Sequence, residues 1–217
     1  MQYAEFTRRE AYSKEELLAL SQGNLVVDPP PEFVRLPAPP MLMIDRVVDY
    51  SDRSTAVLWG DGTSAAVVSK SVPSRVRVVA TSLASSPAGH GAVTIPRSGH
   101  FAQDGNSVQR FAIKTTLTTL AALLPAARER VVRTRGRVRF IGHQANGTML
   151  DAVARRANID PGDHWFNIVE HGNTGAAGAP TVLSQHWDAL ADGDTVLVVV
   201  VGAGLTWASV TVEIGEG

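Results

Sequence analysis

Three short segments carry side chains able to hold an oxygen on which negative charge builds: Gly142-His143-Gln144-Ala145-Asn146, Glu170-His171-Gly172-Asn173-Thr174 and Val201-Gly202-Ala203-Gly204-Leu205-Thr206-Trp207. The His143 ring and the Asn173 amide can each donate a hydrogen bond, and two donors converging on one carbonyl, a thioester's for example, stabilise charge developing there. The glycine-rich turn at Gly202, Ala203 and Gly204 can add a backbone N–H and room for an acyl chain. Each segment alone also has a plainer reading. A histidine at a strand end is more often a packed or surface residue, Gly172-Asn173 an ordinary turn, and Gly202 to Gly204 a bulge or a site of close packing.

For the three segments to meet they must stand at strand ends, where open α/β sheets gather ligand-binding groups. The surrounding sequence predicts such a layout. Val76–Ala80, Arg137–Ile141, Trp165–Val169, Thr195–Val201 and Trp207–Ile214 read as strands, and the unbroken Val-rich run at 195–201 is of the kind buried on both sheet faces. Ser107–Arg130 reads as a helix, with Val108, Phe111, Ala112, Leu120, Leu123 and Ala127 at helical spacing and a disturbance at Pro125. Gly147–Ala157 and Gly175–Leu190 are two further helices. Thr55–Leu58 and Ala65–Ser69 flank Gly60-Asp61-Gly62 and predict a hairpin, whereas Pro87–Gly105, rich in Gly, Ser and Pro, predicts a loop. Strands alternating with helices argue an α/β layered domain with a mixed sheet. Near the N-terminus, Ser13 and Glu16 form a capping-box pattern ahead of Leu17, Leu18 and Leu20, predicting a short helix that stops at Gly23. The prolines from Pro29 to Pro40 then enforce an extended arm.

Composition narrows the function classes. The 217 residues are 44% hydrophobic and 19% charged, enough to bury a core in one domain or two small ones. With 20 basic against 21 acidic residues, the net charge of -1 supplies no general attraction to nucleic acid or an anionic membrane, so neither is expected as a partner. There is no cysteine, which excludes disulfides, thiolate metal sites and a thiol nucleophile on this chain. No apolar run approaches the ~20 residues a membrane helix needs, and the polar opening from Met1 to Lys14 is not a signal peptide. The expectation is a cytoplasmic protein without cofactor or metal.

The ordered set of motifs resembles the β-ketoacyl-acyl-carrier-protein synthase III family. A His-Gln-Ala-Asn run stands at His143 to Asn146, a His-Gly-Asn-Thr run at His171 to Thr174, and a variant of a terminal Gly-Gly-Gly-Phe-Thr-Trp run at Gly202 to Trp207. Upstream, Asp52-Arg53-Ser54-Thr55 through Trp59-Gly60-Asp61-Gly62 and Asp104-Gly105-Asn106 with Phe111-Ala112 extend the resemblance over about residues 50 to 215. It implies a thiolase-like half, a mixed five-stranded sheet with helices on its faces, over residues 49–217. It further implies that His143 and Asn173 bind a malonyl thioester carbonyl and assist decarboxylation, with Gly202, Ala203 and Gly204 near an oxyanion and acyl pocket. Acyl carrier protein or CoA thioesters would be the partners. The sequence departs from the family at Ala203, where the middle glycine is expected, and at Thr148, where a basic residue is usual. Arg155 and Arg156 on the following helix could still supply a carrier-protein patch, although such residues are more often solvated surface.

A second resemblance covers residues 1–48. Tyr12 to Leu18 and Leu36-Pro37-Ala38-Pro39-Pro40-Met41-Leu42-Met43-Ile44-Asp45-Arg46 are similar to the opening of a hot-dog-fold 3-hydroxyacyl-acyl-carrier-protein dehydratase of the FabA type, cut before the stretch where that family places its catalytic residues. The synthase family's first half, with its acyl-accepting cysteine, has no counterpart here, so the isolated chain is expected to be inactive. The long apolar helix and the Val-rich strand would expose a hydrophobic face unless covered, which predicts a partner: a cysteine-bearing synthase half or a homo-oligomer. The alternatives are a non-catalytic scaffold or pseudoenzyme subunit, and a fusion or truncation product.

Overall fold

The computed structural model describes Glu16, Asp49, residues 51–52, Thr55 and residues 57–60, 62–96 and 99–215. Apart from Glu16, the expected short helix, proline-rich arm and dehydratase-like run lie outside the described residues. The chain divides into Met1–Asp49 and Tyr50–Gly217, and the second unit is described below.

Its strands are β1 (Val76–Ser85), β2 (Val93–Thr94), β3 (Ala102–Gln103), β4 (Val138–Gly142), β5 (His164–Trp165), β6 (Thr195–Gly202) and β7 (Thr206–Ile214). Five form one mixed sheet in the order β1-β7-β6-β4-β5, while β2 and β3 pair separately. β4 runs parallel to β5 and β6, and β7 runs antiparallel to β6 and β1. The helices are α1 (Gly105–Thr134), α2 (Gly147–Arg156), α3 (Ile168–His171) and α4 (Gly178–Gln185).

Strand side chains alternate between faces; both faces of the central strands β4 and β6 are covered, whereas β1 at the edge is largely exposed. Phe140, Leu197 and Val199 pack with Leu120, Leu124 and Ala127 of α1 and Val153 and Ala154 of α2. The intervening residues, Ile141, Val196 and Val212, pack with Ala179 and Val182 of α4 on the opposite side. Burial of this kind is worth ~1.5–3 kcal/mol for each large aliphatic side chain.

The α1 helix starts where the Asp104 carboxylate accepts from the Ser107 amide at 3.1 Å. Hydrogen bonds from Ser107, side chain and backbone, hold that exposed carboxyl below its usual pKa. Its buried residues, Ala112, Thr116, Leu120, Leu124 and Ala127, recur every three or four positions. The helix ends in a left-handed cap at Arg135, φ 59°. Arg130 fastens this end to the sheet, donating to Gly193 O at 2.6 Å, Asp194 O at 3.0 Å and Ile214 O at 3.0 Å. Pro125 is accommodated without ending the helix. It cannot donate to the Ala121 carbonyl, and both residues border an open cavity of about 390 Å³.

Several expectations are overturned. No hairpin forms around Gly60 to Gly62: residues 65–69 are exposed and outside any strand, and Trp59 instead bridges to Asn173. Pro87–Ala92 forms a 3₁₀ helix and β2 pairs with β3, so the 87–105 stretch is not all loop. The strand expected over 165–169 ends at Trp165, because the Asn167 N–H is taken by the Gln144 side chain at 3.0 Å and α3 follows. The helix expected over 175–190 breaks into a 3₁₀ turn, α4 and a second 3₁₀ turn. The apolar stripe of α1 and the valines of β6 are covered within this unit, with Leu120, Val196, Leu197 and Val199 fully buried; exposed large apolar residues include Val132 on α1, Val78, Val79 and Leu83 on β1, and Val67, Val68 and Val72. Among the described residues, no helix is long and apolar enough to cross a membrane.

Candidate active site

His143 follows directly on β4, and the Gly202–Gly204 turn follows β6, the parallel neighbour of β4, so both stand at the same end of the sheet. The third segment is not at a strand end. Asn173 lies just after α3 and is brought in by other contacts.

The His143 turn is tightly built. The Ala145 N–H donates to the His143 carbonyl at 2.8 Å, and the Asn146 side chain accepts from the Met149 amide at 2.9 Å, capping α2. Burial pushes the His143 imidazole below its ordinary value, which leaves the ring neutral at pH 7. A neutral ring has one nitrogen that donates and one that accepts.

Asn173 is clamped from two sides. Its N–H donates to Leu58 O at 3.0 Å and its carbonyl accepts from Gly60 N at 3.0 Å. The Leu58–Gly60 segment is itself anchored by Trp59 packing edge-on against Phe101, with centroids 4.8 Å apart. Gly60 must be glycine, because a Cβ there would collide with the His171 carbonyl. The Asn173 Oδ1 accepts from the Gly175 amide at 3.0 Å, so the side chain presents its Nδ2 as a donor.

Between the two segments lies Gln144, fully buried. Its Nε2 donates to Gly142 O at 2.8 Å and its Oε1 accepts from the Asn167 N–H at 3.0 Å. Asn167 passes the connection on: its Nδ2 donates to Gln185 Oε1 at 2.9 Å, and Gln185 Nε2 lies 3.0 Å from His171 Nε2. Asn167 and Gln185 are not singled out by sequence, and the Leu58–Gly60 stretch reads there as a hairpin and as part of the family resemblance, without its role as a clamp. The one signal for Gln144 was its place within the His-Gln-Ala-Asn run.

The remaining candidates are placed as follows. Gly202 and Ala203 are exposed in the β6–β7 turn, where Thr206 Oγ1 donates to Ala203 O at 3.0 Å. Gly204 has φ 128°, a conformation that favours glycine. Arg155 and Arg156 are exposed on the last turn of α2. Arg156 also lines the cavity between α1 and α2 with Leu117, Pro125 and Arg128. Among the described residues, no three His, Cys, Asp or Glu side chains group so as to hold a metal ion.

Residues 118–214 match the family described as 3-oxoacyl-[acyl-carrier-protein] synthase III C terminal, and residues 43–87 match 3-oxoacyl-[acyl-carrier-protein] synthase III. The chain is related to the 3-oxoacyl-[acyl-carrier-protein] synthase III family. A β-ketoacyl-[acyl-carrier-protein] synthase III of Helicobacter hepaticus is 30% identical over 184 residues, covering 78% of this chain and 54% of that protein. Another, of Streptomyces coelicolor, is 34% identical over 187 residues, covering 75% and 54%. The chain thus spans about half the length of these relatives.

Solved structures agree on the fold, which is thiolase-like. The 3-oxoacyl-[acyl-carrier-protein] synthase III of Aquifex aeolicus superposes with a TM-score of 0.64 at 27% identity, covering 78% of this chain and 54% of that one. The enzyme of Pseudomonas aeruginosa gives 0.62 at 26% identity, covering 79% and 55%.

Proposed function

We propose that this chain supplies the His143 and Asn173 donors of a synthase III-type condensing site, acting on a malonyl thioester carried by acyl carrier protein or CoA. A second polypeptide would contribute the cysteine. The observation that carries this reading is the tie that one buried glutamine makes from the His143 turn to Asn167, whose helix α3 leads to Asn173, together with the Asn173 Oδ1 taken by the Gly175 amide so that its Nδ2 is the donor.

The chemistry follows from those donors. Both hydrogen-bond the malonyl thioester oxygen. The bond to the carboxylate breaks, carbon dioxide leaves, and its electron pair forms an enolate whose oxygen keeps both hydrogen bonds. The enolate carbon then attacks an acyl thioester on the partner's cysteine and expels the thiolate. A thiolate is needed there because it is both nucleophile and leaving group at neutral pH. This chain has no cysteine.

Affinity purification from the source cells tests the reading: a stoichiometric partner bearing a thiolase-type cysteine half supports it, and recovery of the chain alone sinks it. In the reconstituted complex, His143→Ala should lower malonyl thioester decarboxylation ~10²–10³-fold, the usual effect of removing one oxyanion donor. The lack of cysteine favours one second reading, a non-catalytic subunit that binds a synthase or dehydratase. It predicts partner binding with no dependence of turnover on His143. We also propose residues 1–48 as a dehydratase-like arm whose last residues, 43–48, overlap the 43–87 synthase III match, and expression of 49–217 without it tests whether partner recovery depends on it.

A further inference from the structure

We propose that Gln144 is a positioning residue: its side chain locks the segment carrying Asn173 to the turn carrying His143 and thereby fixes the spacing of the two donors. This deepens the reading of His143 and Asn173 as a carbonyl-binding pair and rests on it.

The Gln144 backbone is continuous with His143, so wherever the Gln144 side chain is held, the histidine turn is held too. One end of its amide is pinned within that turn, to Gly142 O at 2.8 Å. The other end accepts from Asn167 N at 3.0 Å. Asn167 precedes α3, whose backbone leads through His171 and Gly172 to Asn173. The His171 N–H returns to Asn167 O at 3.1 Å and the Gly172 N–H to Ile168 O at 2.9 Å, so residues 167–172 form one hydrogen-bonded turn. Moving Asn167 therefore moves the whole turn.

Two further contacts seat the lock. A Cβ on Gly178 would fall 2.8 Å from Gln144 Cβ and 3.3 Å from Thr174 Oγ1, so only glycine lets α4 approach both residues. A Cβ on Gly147 would touch Ile168 Cγ2 at 3.4 Å, which places α3 against the start of α2. A buried amide satisfied at both ends is expensive to disengage, because each freed group in a site closed to water lacks a partner. No other buried side chain described here joins the two segments so directly.

The test uses the full chain, isotope-labelled for NMR. Gln144→Met keeps the length and the packing under Gly178 but removes both hydrogen bonds. Amide exchange at residues 167–174 should then accelerate at least tenfold while β6 and β7 amides stay unchanged. The His143 ring should titrate closer to an ordinary histidine, as water reaches it. A merely structural role would lower protection throughout the sheet and leave the His143 titration in place. Should Gln144→Met fail to fold, Gly178→Ala, which displaces the glutamine from its seat, must give the same selective loosening. Unchanged exchange at 167–174, or loosening spread evenly over the sheet, overturns the proposal. Malonyl-CoA titrations separate it from the reading beneath it. Wild-type binding by His143→Ala and Asn173→Ala would sink the carbonyl-binding pair with the lock intact. Lost binding in those variants, with unchanged exchange in Gln144→Met, would sink the lock alone.

Discussion

Gly60→Ala should disable the Asn173 segment without altering any proposed donor. The new Cβ would strike the His171 carbonyl, which is backbone and cannot swing aside as a side chain would. The Leu58–Gly60 segment must therefore withdraw, breaking the bonds from Asn173 N to Leu58 O and from Gly60 N to Asn173 O, each 3.0 Å long. At ~0.5–1.5 kcal/mol net per bond, the loss is about 1–3 kcal/mol of local stability, equivalent to roughly 5- to 150-fold faster opening. Native-state amide exchange at Asn173, followed by NMR near neutral pH, reads this ratio directly. Leu58–Gly60 contributes no residue to the two main core clusters, so the thermal midpoint should move little. Full protection of Asn173 in Gly60→Ala would refute the clamp, and a collapse of protection across β6 and β7 would show that the segment is part of the global fold rather than a local one.

Leu120→Ala removes a fully buried side chain from the α1–sheet cluster and should cost about 2–5 kcal/mol in urea unfolding; a smaller loss means α1 packs more loosely than described. Stability should fall as pH drops below 6.5. His164 is buried with its Nε2 unpartnered, and burial lowers its pKa more than the nearby Asp151 raises it. The unfolded chain then binds protons that the folded one refuses, so stability is complete above the ordinary histidine value of 6.5 and is lost as pH falls toward the depressed folded one. His143 is shifted in the same direction. His164→Phe, which keeps an aromatic against Phe140, should flatten part of this slope in denaturant titrations at pH 5.5 and 7.5; an unchanged slope excludes His164 as a source. Charge reversal of Arg155 and Arg156 should weaken acyl carrier protein binding by at least tenfold at low salt with little change in melting temperature, and unaltered affinity by surface plasmon resonance removes them from the proposed patch.

Much of the layered fold was legible from local pattern. β4, β6 and β7 announce themselves as β-branched runs, and β6 carries enough consecutive valines to require cover on both faces. The helices α1 and α2 begin at Asp104 and Asn146, whose side chains cap the first turn. The family and the order of its three motifs could also be read directly from residue types. Elements whose hydrogen bonds go to distant side chains were illegible. Trp165 to Val169 has the composition of a strand, yet Gln144, 23 positions away from Asn167, takes the amide that would continue the strand. Ala65 to Ser69 has strand-forming residues but no strand beside it, and an isolated two-stranded pairing has little to hold it.

The candidate site divides along the same line. Sequence by itself determined which side chains are present: a histidine, an asparagine, a glycine-rich turn, and no cysteine at all. Only the tertiary structure decided that Asn173 is reached through α3 and the Leu58–Gly60 clamp rather than from a strand end, that its Oδ1 is taken by the Gly175 amide, and that Gln144 ties its segment to His143. Those facts depend on which buried polar groups find one another once the chain is closed, and a buried amide takes whichever partner the packing brings within about 3 Å, at any separation in sequence.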